Sequence, residues 1–525
     1  MLYGDTITIG IMTRRLSLLL FSFTCLCLAK AQSFQTDTVS LSEAVSISDS
    51  LLVSDSLSSS IPLARTPELK PRPWLALGDV VAINGITHLL GRYALKAPFS
   101  QTTMKSIRNN FKSGFAWDDD NFYINYPCHA MHGAYYYNSG RSNGLSLLQS
   151  IPYTLIGSLS WEFLGENEQP SINDVITTTV SGTLFGEVIH LMAQEIVDES
   201  ERGSKRFLQE AVAALVNPVE GFHRLISGRA WRVRKTMVEK KSIPETEEDE
   251  GCCVFSAGGR YIAANSDFGH GTYQPLLSFA MQYGQIVDDQ THPRPYDSFS
   301  LEGTFAYGDR QHILTDLHLT ARICGIPAVT GKNFSGEWGL YQHFHYDDTR
   351  LHGKTTKSPF PFGEMASFGP GFRFAFPQVA PHVSFKQEVF ARGIILGAVN
   401  SDYYEFYNRT YNMGSGFGVT TQSRVSWHHL ASVHLKIHYM RLFTWKGYEP
   451  RDLSELVFDT NYLNVLGDRS SASLLSVNLR TEAWLSQSLR LMIGATLCNR
   501  HSHYKYHADQ RAESCELRAA LAWHF

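Results

Sequence analysis

From Val254 to Phe525 the chain keeps a period of two. Val433, Leu435, Ile437 and Tyr439 alternate with His434, Lys436 and His438. Ile313 to Ile323 alternates against Asp316, His318, Thr320 and Arg322. Leu475 to Leu485 alternates against Ser476, Asn478, Arg480 and Glu482. The last segment sets Leu517, Ala519, Leu521, Trp523 and Phe525 against Glu516, Arg518 and His524. In a strand, successive side chains point to opposite faces, so each segment has one apolar and one polar side. Segments of roughly ten residues with that pattern are what a membrane barrel requires, apolar towards lipid and polar towards the lumen. Only a closed barrel satisfies every backbone group of a sheet in lipid.

Twelve such strands are expected, near 254–264, 273–286, 296–307, 313–325, 334–346, 362–376, 382–395, 414–427, 430–443, 472–485, 488–499 and 514–525. An even number fits bacterial barrels. His428-His429 and Ser486-Gln487 read as tight turns, and 347–361, 396–413 and 444–471 as outside loops. The competing fold is a soluble β-sandwich. The terminal aromatic on an apolar face resembles the C-terminal assembly signal of outer-membrane proteins, which implies the barrel assembly machinery as a partner.

The remaining chain divides around this barrel, 254–525. Residues 1–31 read as a secretory signal: Arg14-Arg15, an apolar run from Leu16 to Leu28, and the small-residue site Ala29-Lys30-Ala31. Residues 32–73 form a Ser/Asp/Thr-rich leader expected to be disordered. Residues 74–240 read as a mostly helical domain on the periplasmic side, and 241–253 as a linker. The whole is an α+β, multi-domain chain: helices first, then an antiparallel transmembrane β-barrel of about 12 strands. Charged residues make up 18% and aromatics 12%, which suits a lipid-facing protein. A net charge of -4 gives no sign of a nucleic-acid partner. The expected surroundings are outer-membrane lipid, and the oligomeric state is open. The cysteines match neither a zinc spacing nor a dense disulfide framework.

The helical candidates are Trp74–Leu95, Leu145–Phe163 and Ile172–Ile196, with an amphipathic segment from Lys205 to Val216. The first is apolar with scattered small residues, and the next two are apolar nearly all round, as buried or membrane helices are. Each apolar run is interrupted before 20 residues, so no clean membrane span is expected.

Within this region Trp117 to Gly144 packs three acids, two histidines, an arginine and several tyrosines into one run. Trp117, Asn125, His129, Gly133, Tyr136, Arg141, Gly144 and Glu162 continue with Pro170-Ser171, Asp174, Gly182, Gly186-Glu187, Asn217-Pro218, Gly221-Phe222, Arg224 and Gly228. Over residues 74–231 this pattern resembles an uncharacterised family of bacterial envelope proteins, a domain of unknown function. In the family pattern a proline often follows the histidine, where this chain has Ala130. The resemblance implies a domain boundary and a set of residues, not a reaction.

Two chemical readings of those residues stand. His129 and His132 share a helix face, and Glu187 and His190 have the Glu-x-x-His spacing of carboxylate metal sites in bundles. A metal set of His129, Glu187 and His190, or a hydrolytic set of His129, Glu162, Asp174 and Glu187, follows; zinc, iron or manganese would suit it, and the cofactor is unknown. The other reading is a structural polar network of Asn125, Arg141 and Asp174, with Arg141 paired to Glu162 or Asp174 and glycines 133, 144, 182 and 186 allowing close helix contact. The lumen histidines read as solvated groups. Function therefore divides between a structural or transport-related outer-membrane barrel, with the helices capping or plugging it, and a membrane-associated hydrolase of envelope lipid or polymer.

Overall fold

A computed structural model describes residues 69–233 and 253–525, except 265–267, 285, 287–292, 309–312, 332–333, 351–357, 407, 429 and 449–463. The expected signal and most of the leader and linker lie outside the described residues.

Twelve strands close into one antiparallel barrel. They are β1 (Cys253–Ala264), β2 (Thr272–Tyr283), β3 (Phe299–Ala306), β4 (Leu314–Gly331), β5 (Phe334–Asp347) and β6 (Phe362–Ala380). Then follow β7 (Val383–Asn400), β8 (Tyr411–Trp427), β9 (Ala431–Phe443), β10 (Ser470–Trp484), β11 (Leu489–Tyr504) and β12 (Gln510–His524). β12 closes on β1, with Val254 opposite His524 and Arg260 opposite Arg518. The expected number of strands is met. Several strands run further than their alternation, because β4, β5, β6 and β7 carry register shifts that break the period of two. Both barrel termini lie at the end of the short turns 381–382 and 485–488, and the described residues of the connections that follow β5, β7 and β9 lie at the opposite, loop end.

Among the described residues eight α-helices precede the barrel. α1 (Pro73–Leu89), α3 (His129–Ser142), α4 (Leu147–Ser160) and α6 (Gly182–Ile196) form the core of the bundle. α2 (Met104–Ser113), α5 (Ile172–Ile176), α7 (Gly203–Val216) and α8 (Pro218–Ile226) surround it. A π turn extends each core helix at one end: Leu90–Leu95, Ile124–Cys128, Trp161–Gly165 and Thr177–Ser181. Ser146 caps α4 in a reciprocal box with Gln149, and the Asn217 side chain caps α8.

Of the glycines expected to permit close helix packing, Gly133, Gly182 and Gly186 do so, whereas Gly144 sits in a turn at φ 79° against Leu69. A Cβ on Gly133 would lie 1.9 Å from the Thr178 carbonyl oxygen, and one on Gly186 would lie 2.6 Å from Tyr137. α3 and α6 therefore meet backbone to backbone.

The bundle lies along the outer wall of the barrel. Glu302, His318 and His345 line the lumen, so by alternation Leu301, Leu319, Phe344 and Tyr346 face outwards. Those outward residues are buried, in one apolar cluster with Phe122, Tyr126, Phe185 and Val188 of the helices. Elsewhere on the wall the equivalent residues are open: Ile493 is 57% exposed and Leu479 48%. The helix through α5 and α6 runs the barrel's height. Thr177 Oγ1 donates to Met365 Sδ near the loop end, Gln342 donates to the Val180 carbonyl midway, and Tyr283 Oη donates to Glu195 near the turn end. The expectation of a domain capping or plugging one end of the barrel is thus corrected. The helices' apolar faces match the side of the strands, and the lumen is lined by the barrel's own charged side chains.

The apolar runs expected to break before 20 residues extend further as helices. Pro73–Leu95 is one apolar helix of 23 residues and Ile172–Ile196 one of 25, because the π turns carry the helix through interruptions legible in the sequence. At about 1.5 Å per residue both exceed a hydrocarbon core of about 30 Å.

Candidate functional site

Carboxylates gather where the π turns lie, at the loop end of the bundle. The loop Trp117–Asn121 is tied to the barrel loops: Arg409 donates to the Asp118 carbonyl at 2.6 Å, and Trp117 packs edge-on against Trp445. Asn125 donates to Tyr411 Oη at 2.6 Å, and Tyr411 Oη donates to the Asp120 carbonyl. From the helices, His129 Nε2 comes within 3.5 Å of Asp174 and its Nδ1 within 3.1 Å of Thr178 Oγ1. Glu162 accepts the Ser171 N–H at 2.7 Å. Asn173 donates to Asp174 and accepts the Asp118 N–H.

Burial, then repulsion from Asp174 and Asp119, pushes the Asp118 carboxyl up to about 8. Burial and the charges of Asp118 and Glu168 push Asp120 well above the ordinary range, and burial and Glu162 do the same to Glu166. Desolvation and like charge both disfavour the carboxylate form. One oxygen each of Asp118, Asp119 and Glu168 lies within 4.8 Å of the others, a set of hard ligands that suits an oxygen-seeking cation.

The structure brings together His129, Glu162 and Asp174 of the residues expected from sequence. Glu187 stands nine residues beyond Thr178 on the same helix, about 13 Å along its axis. It pairs with Arg141 at 2.8 Å and accepts from Tyr137 Oη at 2.8 Å. Arg141 therefore pairs with Glu187 rather than with Glu162 or Asp174. His190 faces Glu220 at 2.9 Å, and Glu220 sits beside Asn217, which donates to Asn138. The Glu-x-x-His spacing thus feeds two separate polar contacts, and His129, Glu187 and His190 do not converge. Asn125 and Asp174 both join the hydrogen-bonded group around Asp118, and Arg141 joins a separate one with Glu187. Asp118, which touches this site through its backbone and its charge, belongs in it; its signal in sequence was the three-acid run.

The lumen holds a second constellation. Lys436 on β9 reaches Glu302 on β3 at 3.2 Å. Those strands stand six places apart in a ring of twelve, so this ion pair crosses the barrel. Arg518 of β12 likewise reaches Asp316 of β4. Nearby, Arg392 holds Glu364 through two hydrogen bonds of 2.6 and 2.7 Å.

Residues 114–219 match the family model described as a domain of unknown function (DUF3943), inside the segment whose residues resemble such a family. No curated protein matches the chain. Among solved structures, the NanC porin covers 52% of this chain and 100% of its own at 10% identity and a TM-score of 0.25. The KdgM porin covers 52% and 99% at 8% identity and a TM-score of 0.23. OmpT of Vibrio cholerae covers 51% and 96% at 8% identity and a TM-score of 0.21. The barrel rests on its own strand pairing.

Proposed function

We propose that this is an outer-membrane protein in which a closed barrel serves as the wall for a bilayer-embedded helical bundle, with a structural role in the envelope. The observation that carries it is the contrast along the outer wall. Apolar residues of β3 to β5 are covered by helices, and those of β10 to β12 are left for lipid. The helices in turn offer lipid a fresh apolar surface: Trp74 is 83% exposed, Val81 66% and Ile86 59%. In water that surface is costly at about 25 cal/mol per Å²; in lipid it costs nothing. Short turns lie on the periplasmic side of bacterial barrels and longer loops outside. The carboxylate site then stands at the level of the outer leaflet, and α8 at the inner one. Lipid and the barrel assembly machinery are the partners this reading needs. The ion pairs across the lumen favour a structural over a conducting role.

The test is a crosslink. Phe185 and Phe344 touch, with ring centroids 4.9 Å apart. In a background without native cysteines, Phe185→Cys and Phe344→Cys are joined on this reading by a bifunctional thiol crosslinker that spans the space of the two rings; absence of the crosslink in a correctly inserted barrel overturns it.

A specific observation favours a second reading, a lipid-directed hydrolase: His129, Asp118, Asp174 and Glu162 meet beside the bilayer surface, with Asp118 poised near neutral pH. On that reading His129→Ala abolishes hydrolysis of outer-leaflet lipid while barrel assembly is unchanged. Loss of assembly instead supports the structural role.

A further inference from the structure

We infer that the barrel lumen contains a transition-metal site, formed by His345 of β5, Glu364 of β6 and His438 of β9, that takes zinc or a similar divalent ion. The three side chains come from three strands and are 4%, 0% and 7% exposed. One ligand atom from each lies within 4.8 Å of the others. Glu364 Oε1 stands 3.7 Å from His345 Nδ1 and 3.7 Å from His438 Nε2. That separation is too long for a hydrogen bond. It is near the spacing, about 3.4 Å, of two ligands bound tetrahedrally to one ion at about 2.0–2.1 Å.

A second observation points the same way. His438 Nε2 is buried and has no hydrogen-bond partner, a cost that native interiors normally avoid. Two imidazoles and a carboxylate are the donor set of zinc sites that keep a position open for water. His345 and His438 both line the lumen cavity of about 160 Å³, which supplies that fourth position and a route of entry.

Arg392 sets the conditions. It donates to both oxygens of Glu364 and, through Nη2, to His438 Nδ1 at 3.0 Å. A carboxylate has about four acceptor sites, so Oε1 keeps a lone pair for an ion. With His438 Nδ1 accepting, its proton lies on Nε2. Metal binding moves that proton to Nδ1, where Thr420 Oγ1 at 3.1 Å accepts it; Arg392 gives up its bond to Nδ1 and keeps those to Glu364, and Nε2 becomes a ligand. The imidazole stays neutral throughout, so no proton is left unbalanced.

The experiment uses the detergent-solubilised full chain, purified without a histidine tag and stripped with chelator. Zinc is titrated by calorimetry, and cobalt by its visible absorption. One saturable site is expected, with the intense cobalt bands of tetrahedral coordination. Losing an outer partner of a metal ligand already costs about 10–100-fold in affinity, so His438→Ala and His345→Ala each weaken binding at least that much. Asp118→Asn with Asp119→Asn, at the outer carboxylate cluster, leaves the tetrahedral cobalt bands unchanged. Absence of saturable zinc binding in the folded wild type overturns the site, as does binding that survives both histidine variants. The cobalt spectrum of the wild type decides the matter even if a variant fails to fold.

Discussion

Replacing Gly133 by alanine places a methyl group 1.9 Å from the Thr178 carbonyl oxygen and against Gly182, where a backbone atom rather than a flexible side chain stands in the way. Ordinary contact begins near 3.4 Å, so α3 must withdraw from α6 by about 1.5 Å. That movement strains the Asn138 hydrogen bond to the Gly186 carbonyl, at 2.9 Å, and the Arg141–Glu187 pair. Overpacking costs about 1–3 kcal/mol and a lost hydrogen bond about 1 kcal/mol. The bundle loses about 2–4 kcal/mol, a roughly 30- to 1000-fold rise in its open population. Trypsin cleavage within the helices reports that population when closing outpaces cleavage. The heat-dependent gel shift of the barrel, read on the same sample, is expected to stay unchanged. Gly78→Ala is the control: its methyl group meets nothing within 4 Å, and helix propensity favours it by roughly 1 kcal/mol. If Gly133→Ala is cleaved no faster than wild type, the backbone contact between α3 and α6 is refuted.

Arg141→Ala leaves the buried Glu187 without its cation and destabilises the bundle by about 3 kcal/mol, read by urea unfolding. Wild-type protein in a planar bilayer is expected to show little conductance, and Lys436→Ala with Glu302→Ala, which removes the ion pair across the lumen, to raise it. In chelator, bundle stability falls as pH rises from about 4 to about 8. Folded Asp118 keeps its proton up to about 8, whereas the unfolded carboxyl loses it near 3.8. The native state therefore binds more protons across that window, and its stability is lost as pH climbs. Asp118→Asn flattens this slope; an unchanged slope contradicts the assignment.

The barrel was legible because lipid and lumen impose opposite chemistry on alternate residues, as Val433 to Tyr439 display. Its covering was not. Leu319 and Phe344 beneath the helices have the same character as Leu479 and Ile493 outside them; hydrocarbon and a packed helix select the same side chains. The span of α1 was hidden because a run broken in composition continues through a π turn at Leu90–Leu95. The carboxylate site was half visible. His129, Glu162 and Asp174 are gathered, but periodicity could not say that Arg141 meets Glu187 or that His190 meets Glu220, since those partners come from other helices. The lumen set of His345, Glu364 and His438 depends on barrel closure and on register shifts in β5 and β6, which no local pattern encodes.

The central claim, that the bundle lies in the bilayer beside the barrel, is met most directly by spin labels on α1. Labels at Val81, Ile86 and Leu89 in reconstituted bilayers are compared with one at Ile493 on the open barrel wall, by power saturation with oxygen and with a water-soluble nickel chelate. Burial in lipid predicts high oxygen and low nickel accessibility at all four positions. Nickel accessibility on α1 well above that at Ile493 would place the helix in water and contradict the claim.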